Sequence, residues 1–288
     1  MNRNMNPPIP RVILRPNQSW LLIDWRGIIQ YYDLIVELVM RDFTAKYKQT
    51  LLGPLWSIIN PLLTTLVFTL LFGRVMRVSP SGLPPLLFYL CSLLGWTYFA
   101  NVLSSTGNSL TNNARIFSKV YFPRLIPPLA LTISNLVGFS IQFLFFCFAY
   151  VYYRFFTEAS ASLSLGPSVL MFPLLVVHMA VLGLGVGLIV SSLTAKYRDL
   201  NNLMIILVQL WMYATPVIYP LSKIPEKWRW IPNINPMTAV VETLRHVFLN
   251  TGEFEIASYG LSLAVSVVIF LVGILFYQRV ARTFVDTV

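Results

Sequence analysis

The stretch L-L-G-P-L-W-S-I-I-N-P-L-L-T-T-L-V-F-T-L-L-F-G, Leu51–Gly73, contains no Asp, Glu, Lys, Arg or His. A helix needs about 20 predominantly apolar residues to cross the hydrocarbon core of a bilayer, so this run is long enough. Five further runs without Asp, Glu, Lys or Arg follow, at 83–105, 125–153, 167–193, 200–220 and 256–278. Together they predict an all-α polytopic membrane protein with six transmembrane helices.

The composition agrees. Of 288 residues, 56% are hydrophobic and 11% charged, against roughly 25% charged in an ordinary soluble domain, and the mean hydropathy is +0.68. This excludes a disordered chain, a collagen-like fibre and most soluble enzymes. A net charge of +10 would suggest nucleic acid in a soluble protein, but in a membrane protein it points to basic cytoplasmic loops and no nucleic-acid partner. An even number of spans puts both termini on one side. Fourteen of the 21 Lys and Arg residues fall on that side, so the termini are expected in the cytoplasm. Cys91 and Cys147 both lie in apolar runs, which argues against a disulfide framework. The first 19 residues, with Pro7, Pro8, Pro10 and Pro16, lack the apolar core of a cleavable signal peptide. Residues 1–27 are expected to be a flexible cytoplasmic tail and 28–288 one transmembrane domain.

Ahead of the first span, Ile28, Tyr32, Ile35, Val39, Phe43 and Tyr47 recur at the spacing of one helix face. Asp33, Glu37, Arg41 and Lys48 occupy another, with Glu37 and Arg41 as an i,i+4 pair. The pattern predicts an N-terminal amphipathic interface helix over 28–48, its basic end near lipid phosphates; a simple surface anchor is the plainer reading. Leu52-Gly53-Pro54 should end it, because proline lacks the N–H that continues a helix. Between spans two and three, Arg115, Ile116, Phe117, Lys119, Val120 and Phe122 form a short apolar and basic segment, either a docking knob for a cytosolic partner or a snorkelling connector. The loop Lys223–Glu255 holds Trp228, Trp230, Ile231, Pro232 and Pro236, then Met237–Phe248 with a helical period. It reads as re-entrant helices between spans five and six, or as a folded extracellular cap.

Catalytic patterns are missing. The chain has no G-x-x-x-x-G-K-[ST] phosphate loop, no H-E-x-x-H and no G-x-S-x-G, so it is expected to be neither an enzyme nor the holder of a metal or cofactor. The spans contain no Asp or Glu, whereas ion-driven carriers place carboxylates at mid-membrane. Energy then comes from another subunit, or the protein is a passive pore. His178, within span four, reads as a hydrogen-bonded structural imidazole or a proton acceptor. His246 follows Glu242 by four and reads as its helix partner. Gly183 and Gly187 form a G-x-x-x-G that permits close helix approach.

Several blocks resemble one family. R-D-F-T-A-K-Y-K-Q-T-L-L-G-P-L-W-S-I-I-N-P (Arg41–Pro61), K-V-Y-F-P-R (Lys119–Arg124), Y-R-D-L-N-N (Tyr197–Asn202) and Y-A-T-P-V-I-Y-P (Tyr213–Pro220) are similar, in order, to the ABC-2 type permeases that export bacterial polysaccharides, nearest the O-antigen and capsular branch. The resemblance implies a half-transporter in the bacterial inner membrane: a homodimer driven by two separate ATP-binding subunits, which use the ATP and Mg. It assigns Arg115–Phe122 to a coupling helix on the ATPase, Ile28–Lys48 to the interface helix, Leu52–Gly53 to the loop flanking the cytoplasmic entrance and Lys223–Phe248 to re-entrant helices at the outer mouth.

The side chains themselves suit a sugar cargo. Trp56, Asn60, Thr64 and Phe68 follow one another at spacings of four; Tyr89, Ser92, Trp96 and Phe99 stripe span two; Asn202, Gln209, Tyr213, Pro216 and Tyr219 stripe span five. Aromatic rings stack on the C–H faces of sugars, and amides and hydroxyls bond their OH groups. The plainer reading is the aromatic belt of a membrane interface. A lipid-linked polysaccharide also presents a carrier pyrophosphate, for which Arg41, Lys46 and Lys48, beside Leu52 and Gly53, are the candidate receptor; holding the helix on anionic lipid is the alternative. Competing functions are a teichoic acid or other glycolipid exporter and, from another class, a secondary flippase or channel.

Overall fold

The computed structural model describes residues 25–48, 50–76, 78, 83–117, 120, 122–157, 163–197 and 199–284. Among these, every regular element is a helix. A helix satisfies its backbone polar groups within its own segment, which suits runs this apolar. Five helices are long and apolar enough to cross a bilayer: Gly53–Val75, Pro85–Gly107, Ile126–Phe156, Pro167–Thr194 and Ile256–Thr283. The run expected to span 200–220 is shorter, a helix over Leu200–Ala214, or about 22 Å at 1.5 Å per residue. Its end is local in origin. Pro216 excludes the helical conformation from the residue before it, and Thr215 is extended, with ψ 140°.

In chain order the helices are α1 (Trp25–Gln30), α2 (Tyr32–Tyr47), α3 (Trp56–Phe68), α4 (Pro85–Gly107), α5 (Ser109–Asn112), α6 (Ala114–Phe117), α7 (Ile126–Phe156), α8 (Phe172–Thr194), α9 (Leu200–Ala214), α10 (Trp230–Ile234), α11 (Pro236–Leu249) and α12 (Ile256–Phe284). A 3₁₀ turn, Gly53–Leu55, precedes α3, and a π-helical stretch, Thr69–Val75, follows it.

α4 is the centre of the bundle, with Leu87, Phe99, Val102 and Leu103 fully buried. α8 is wedged between α4 and α12. The G-x-x-x-G faces α4: a Cβ on Gly187 would stand 2.7 Å from Thr106 Cβ, and one on Gly183 3.1 Å from Val102. On its other side a Cβ on Gly185 would stand 2.7 Å from Phe270 Cα. Only residues without a side chain allow both approaches. α7 lies along α4 and carries α2. Phe143 stacks on Phe172 at 4.4 Å, and Phe248 stands 5.2 Å from Phe146 and 5.4 Å from Phe172, so one aromatic knot joins α7, α8 and α11. Such pairs contribute about 0.5–1.5 kcal/mol each beyond their buried area.

The loop 223–255 does form two helices. α11 begins at Pro236, with the Asn235 side chain accepting the Met237 N–H at 3.0 Å, and ends at a left-handed Asn250. It packs against α4, α8 and α12 as part of the bundle, so it is no separate cap.

Three local expectations change. The interface helix is two helices divided at Tyr31, and Tyr32, assigned to the apolar face, is 63% exposed. The face turned to α7 is centred instead on Ile35 and Leu38. Arg41 pairs with its neighbour Asp42 at 2.8 Å rather than with Glu37. Glu242 pairs not with His246 but with Arg245, at 2.8 Å, while the His246 ring stacks on Phe254. Of the expected N-terminal tail, residues 1–24 lie outside the described residues.

Candidate functional site

A half-open cleft of about 430 Å³ is enclosed by the end of α2 and by α3, α4 and α7. The chain is brought to it by the Leu52-Gly53-Pro54 break. Gly53 is left-handed, with φ 51°, a conformation that glycine adopts without a steric penalty, and Pro54 then presets the first helical turn. α3 starts directly afterwards and places Trp56, Asn60 and Thr64 on the face toward the cleft. Across the break the Tyr47 and Ser57 hydroxyls are 2.6 Å apart. Gly138 of α7 lies behind this pair, where a Cβ would touch both oxygens at 3.6 Å.

α4 supplies Thr97 and Asn101, and α7 supplies Asn135 and Gln142. The wall therefore combines amides, hydroxyls and one indole with the apolar Pro61 and Leu93. Lys46 is the one charged residue of the lining among the described residues, with Nζ 5.6 Å from the centre of the Tyr47 ring. Asn135 Nδ2 donates to Ser105 Oγ and to the Leu131 carbonyl, both at 2.8 Å. Gln142 Oε1 is buried and has no partner among the described residues. A buried acceptor of this kind is rare in folded proteins.

Of the residues expected to contact sugar, Trp56, Asn60 and Thr64 meet in the cleft and the others do not. Phe68, Tyr89, Trp96 and Phe99 are buried in the core; Phe68 packs edge-on against Tyr89, and Phe99 against Trp211. Ser92 is also fully buried. The reason is that α4 is predominantly apolar on all sides and central, so its aromatic stripe is consumed in packing while Thr97 and Asn101 face the opening. Gln209 and Tyr213 lie on the exposed side of α9. Tyr213 and Tyr219 border a separate pocket of about 450 Å³ with Trp228 and Pro232. Thr97, Asn101, Asn135 and Gln142 were not among the expected residues. Their signal was a polar pair at i,i+4 in one apolar helix and at i,i+7 in another.

The three bases proposed as one receptor are split. Lys46 lines the cleft, whereas Arg41 and Lys48 share a shallow groove with Glu37 and Thr44. On a helix, residues seven apart share a face and residues five apart lie about 140° around the axis. Leu52 and Gly53 shape the turn but do not line the cleft. The docking segment is also rearranged. Phe117 and Phe122 are buried with their rings 5.5 Å apart, so they face the fold. Arg115 and Val120 are exposed and Ile116 is half-buried; Lys119 lies outside the described residues. The segment is anchored from within: Ser109 Oγ stands 3.2 Å from Ser191 Oγ and donates to Tyr277 Oη at 3.3 Å. His178 is fully buried, with Nε2 2.8 Å from Ser266 Oγ, the geometry of a structural imidazole.

Residues 33–249 match the ABC-2 type transporter family. The chain is 29% identical over 255 residues to an O-antigen export system permease protein RfbA of Klebsiella pneumoniae, covering 88% of this chain and 95% of that protein. It is 29% identical over 226 residues to the protein of the same name from Myxococcus xanthus, covering 77% and 83%. It is 22% identical over 246 residues to the polysialic acid transport protein KpsM of Escherichia coli, covering 84% and 91%.

Proposed function

The chain belongs to the ABC-2 type transporter family, and from that premise we propose that it is the membrane-spanning permease subunit of an ATP-driven exporter of lipid-linked polysaccharide, of O-antigen or capsular type. The observation that carries the cargo class is the cleft wall. Asn60, Thr97, Asn101, Asn135 and Gln142 offer neutral donors and acceptors, Trp56 offers a ring face, and Lys46 is the one cation among the described lining residues. Hydroxyl-rich, uncharged sugar units match the wall, and an anionic carrier group matches the lysine.

In this reading α9 completes a sixth span, α10 and α11 are re-entrant at the outer mouth, and both termini face the cytoplasm of a bacterium whose inner membrane holds the protein. Two copies pair, and two separate subunits bind ATP and Mg and dock on the surface that carries the exposed Arg115 and Val120. A carrier driven by protons would need a titratable group kept for transport; here the buried Glu242 is bound to Arg245 and His178 Nε2 stands 2.8 Å from Ser266 Oγ.

The test is complementation. A bacterium that lacks its own O-antigen permease, given this chain and a cognate ATP-binding subunit, should regain surface polysaccharide. Asn101→Leu with Gln142→Leu should abolish that recovery at unchanged membrane levels. Recovery without the ATP-binding subunit, or recovery undiminished by the two substitutions, would overturn the reading.

A further inference from the structure

Arg245, on α11, is 1% exposed and ties its own helix to α4 and to the turn after α9. Its Nε donates to Ser92 Oγ of α4 at 2.8 Å. Nη1 donates to Glu242 Oε1 at 2.8 Å and to the Tyr219 carbonyl at 3.3 Å, and Nη2 donates to the Val217 carbonyl at 2.9 Å. The guanidinium lies over the Phe88 ring at 4.0 Å. The other Glu242 oxygen accepts the Glu253 N–H at 3.1 Å, on the segment leading to α12. An ion pair buried only to neutralise itself would need none of the backbone contacts. Here the planar fork of the arginine reaches two carbonyls of one turn, which the single ammonium of a lysine cannot reproduce.

That turn follows α9 and carries Tyr219, whose Oη donates to the Tyr213 carbonyl at 3.0 Å. Both tyrosines border the aromatic pocket of about 450 Å³. A second tie runs in parallel: Asn235, at the start of α11, donates to Thr215 Oγ1 at 2.7 Å and accepts from Trp211 Nε1 at 3.0 Å. The turn 215–219 is thus gripped at both ends by α11.

We infer that Arg245 is a positioning residue: its guanidinium latches the turn after α9, and with it the Tyr213 and Tyr219 wall of the pocket, onto α11 and α4. The end of α9 and α11 then move as one piece, so displacing α11 carries the aromatic wall with it. The latch is a property of the geometry and stands apart from the export reading.

Cysteine labelling of the full chain in detergent micelles, with Cys91 and Cys147 replaced by alanine, tests the latch with no cargo present, so its failure is distinct from failure of the export reading. Ile218→Cys reports on the turn and Ala130→Cys, buried on α7, reports on the rest of the bundle. With Arg245 intact both sites should resist maleimide. Arg245→Lys keeps the charge beside Glu242 but loses the fork, and should raise labelling at Ile218→Cys by about tenfold while Ala130→Cys stays protected. Should Arg245→Lys fail to reach the membrane, Ser92→Ala removes one anchor alone and should raise labelling at Ile218→Cys by about threefold. Protection unchanged at Ile218→Cys, or equal exposure at both sites, would overturn the latch in favour of charge balance or general packing.

Discussion

The Tyr47 hydroxyl stands 2.6 Å from the Ser57 hydroxyl, joining the end of α2 to the first turn of α3 across the Leu52-Gly53-Pro54 break. Both residues line the cleft, with Gly138 of α7 passing behind them. The bond fixes the angle between the two helices, and that angle sets how far Lys46 stands from Trp56.

If the bond is shared by the two residues alone, their losses should not add. Tyr47→Phe and Ser57→Ala should each cost about 0.5–1.5 kcal/mol of stability, and the double substitution little more than either single one. Thermal unfolding of the purified variants in micelles measures this. Additive losses would mean that the two hydroxyls act separately.

Lys46 should separate from its two neighbouring bases. Lys46→Gln is expected to weaken both export and the stimulation of the ATP-binding subunit by lipid-linked sugar. Arg41→Gln and Lys48→Gln, on the other groove, should leave both near wild type, since exposed charges acting only on lipid are individually weak. Equal losses at all three positions would restore the single basic cluster.

Amide loss in the cleft should have opposite effects on fold and function. Gln142 Oε1 is buried without a partner, so Gln142→Leu removes an unsatisfied acceptor and should leave stability unchanged or raised by roughly 1 kcal/mol. Polysaccharide export should nevertheless fall. A matched drop in stability and export would identify Gln142 as a packing residue.

On the proposed docking segment, Phe117 and Val120 should behave differently. Phe117 is buried against Phe122, so Phe117→Ala should cost about 3–5 kcal/mol, as large core truncations do, and lower the amount of protein in the membrane. Val120 is 57% exposed, so Val120→Asp should leave that amount unchanged and reduce co-purification of the ATP-binding subunit. Undiminished co-purification would move the docking surface elsewhere.

The membrane class, the helix break and the close-packing glycines were legible in the chain because each depends on residues near one another. A charge-free run of sufficient length must be helical in lipid whatever surrounds it, and Gly53-Pro54 breaks a helix through its own backbone geometry. The facing of α4 was not legible. A helix apolar on every side has no periodic signal to tell core from opening, so Tyr89, Trp96 and Phe99 passed for a sugar stripe when they are packing. Thr97 and Asn101 of the same helix face the cleft because α3 and α7 leave a gap there. The partner of Glu242 was likewise undecided locally, since Arg245 at i+3 and His246 at i+4 are both within reach on a helix. Ser92 and the carbonyls of Val217 and Tyr219 draw the guanidinium inward. Those groups come from distant parts of the chain, and only the packing of α11 into the bundle brings them together.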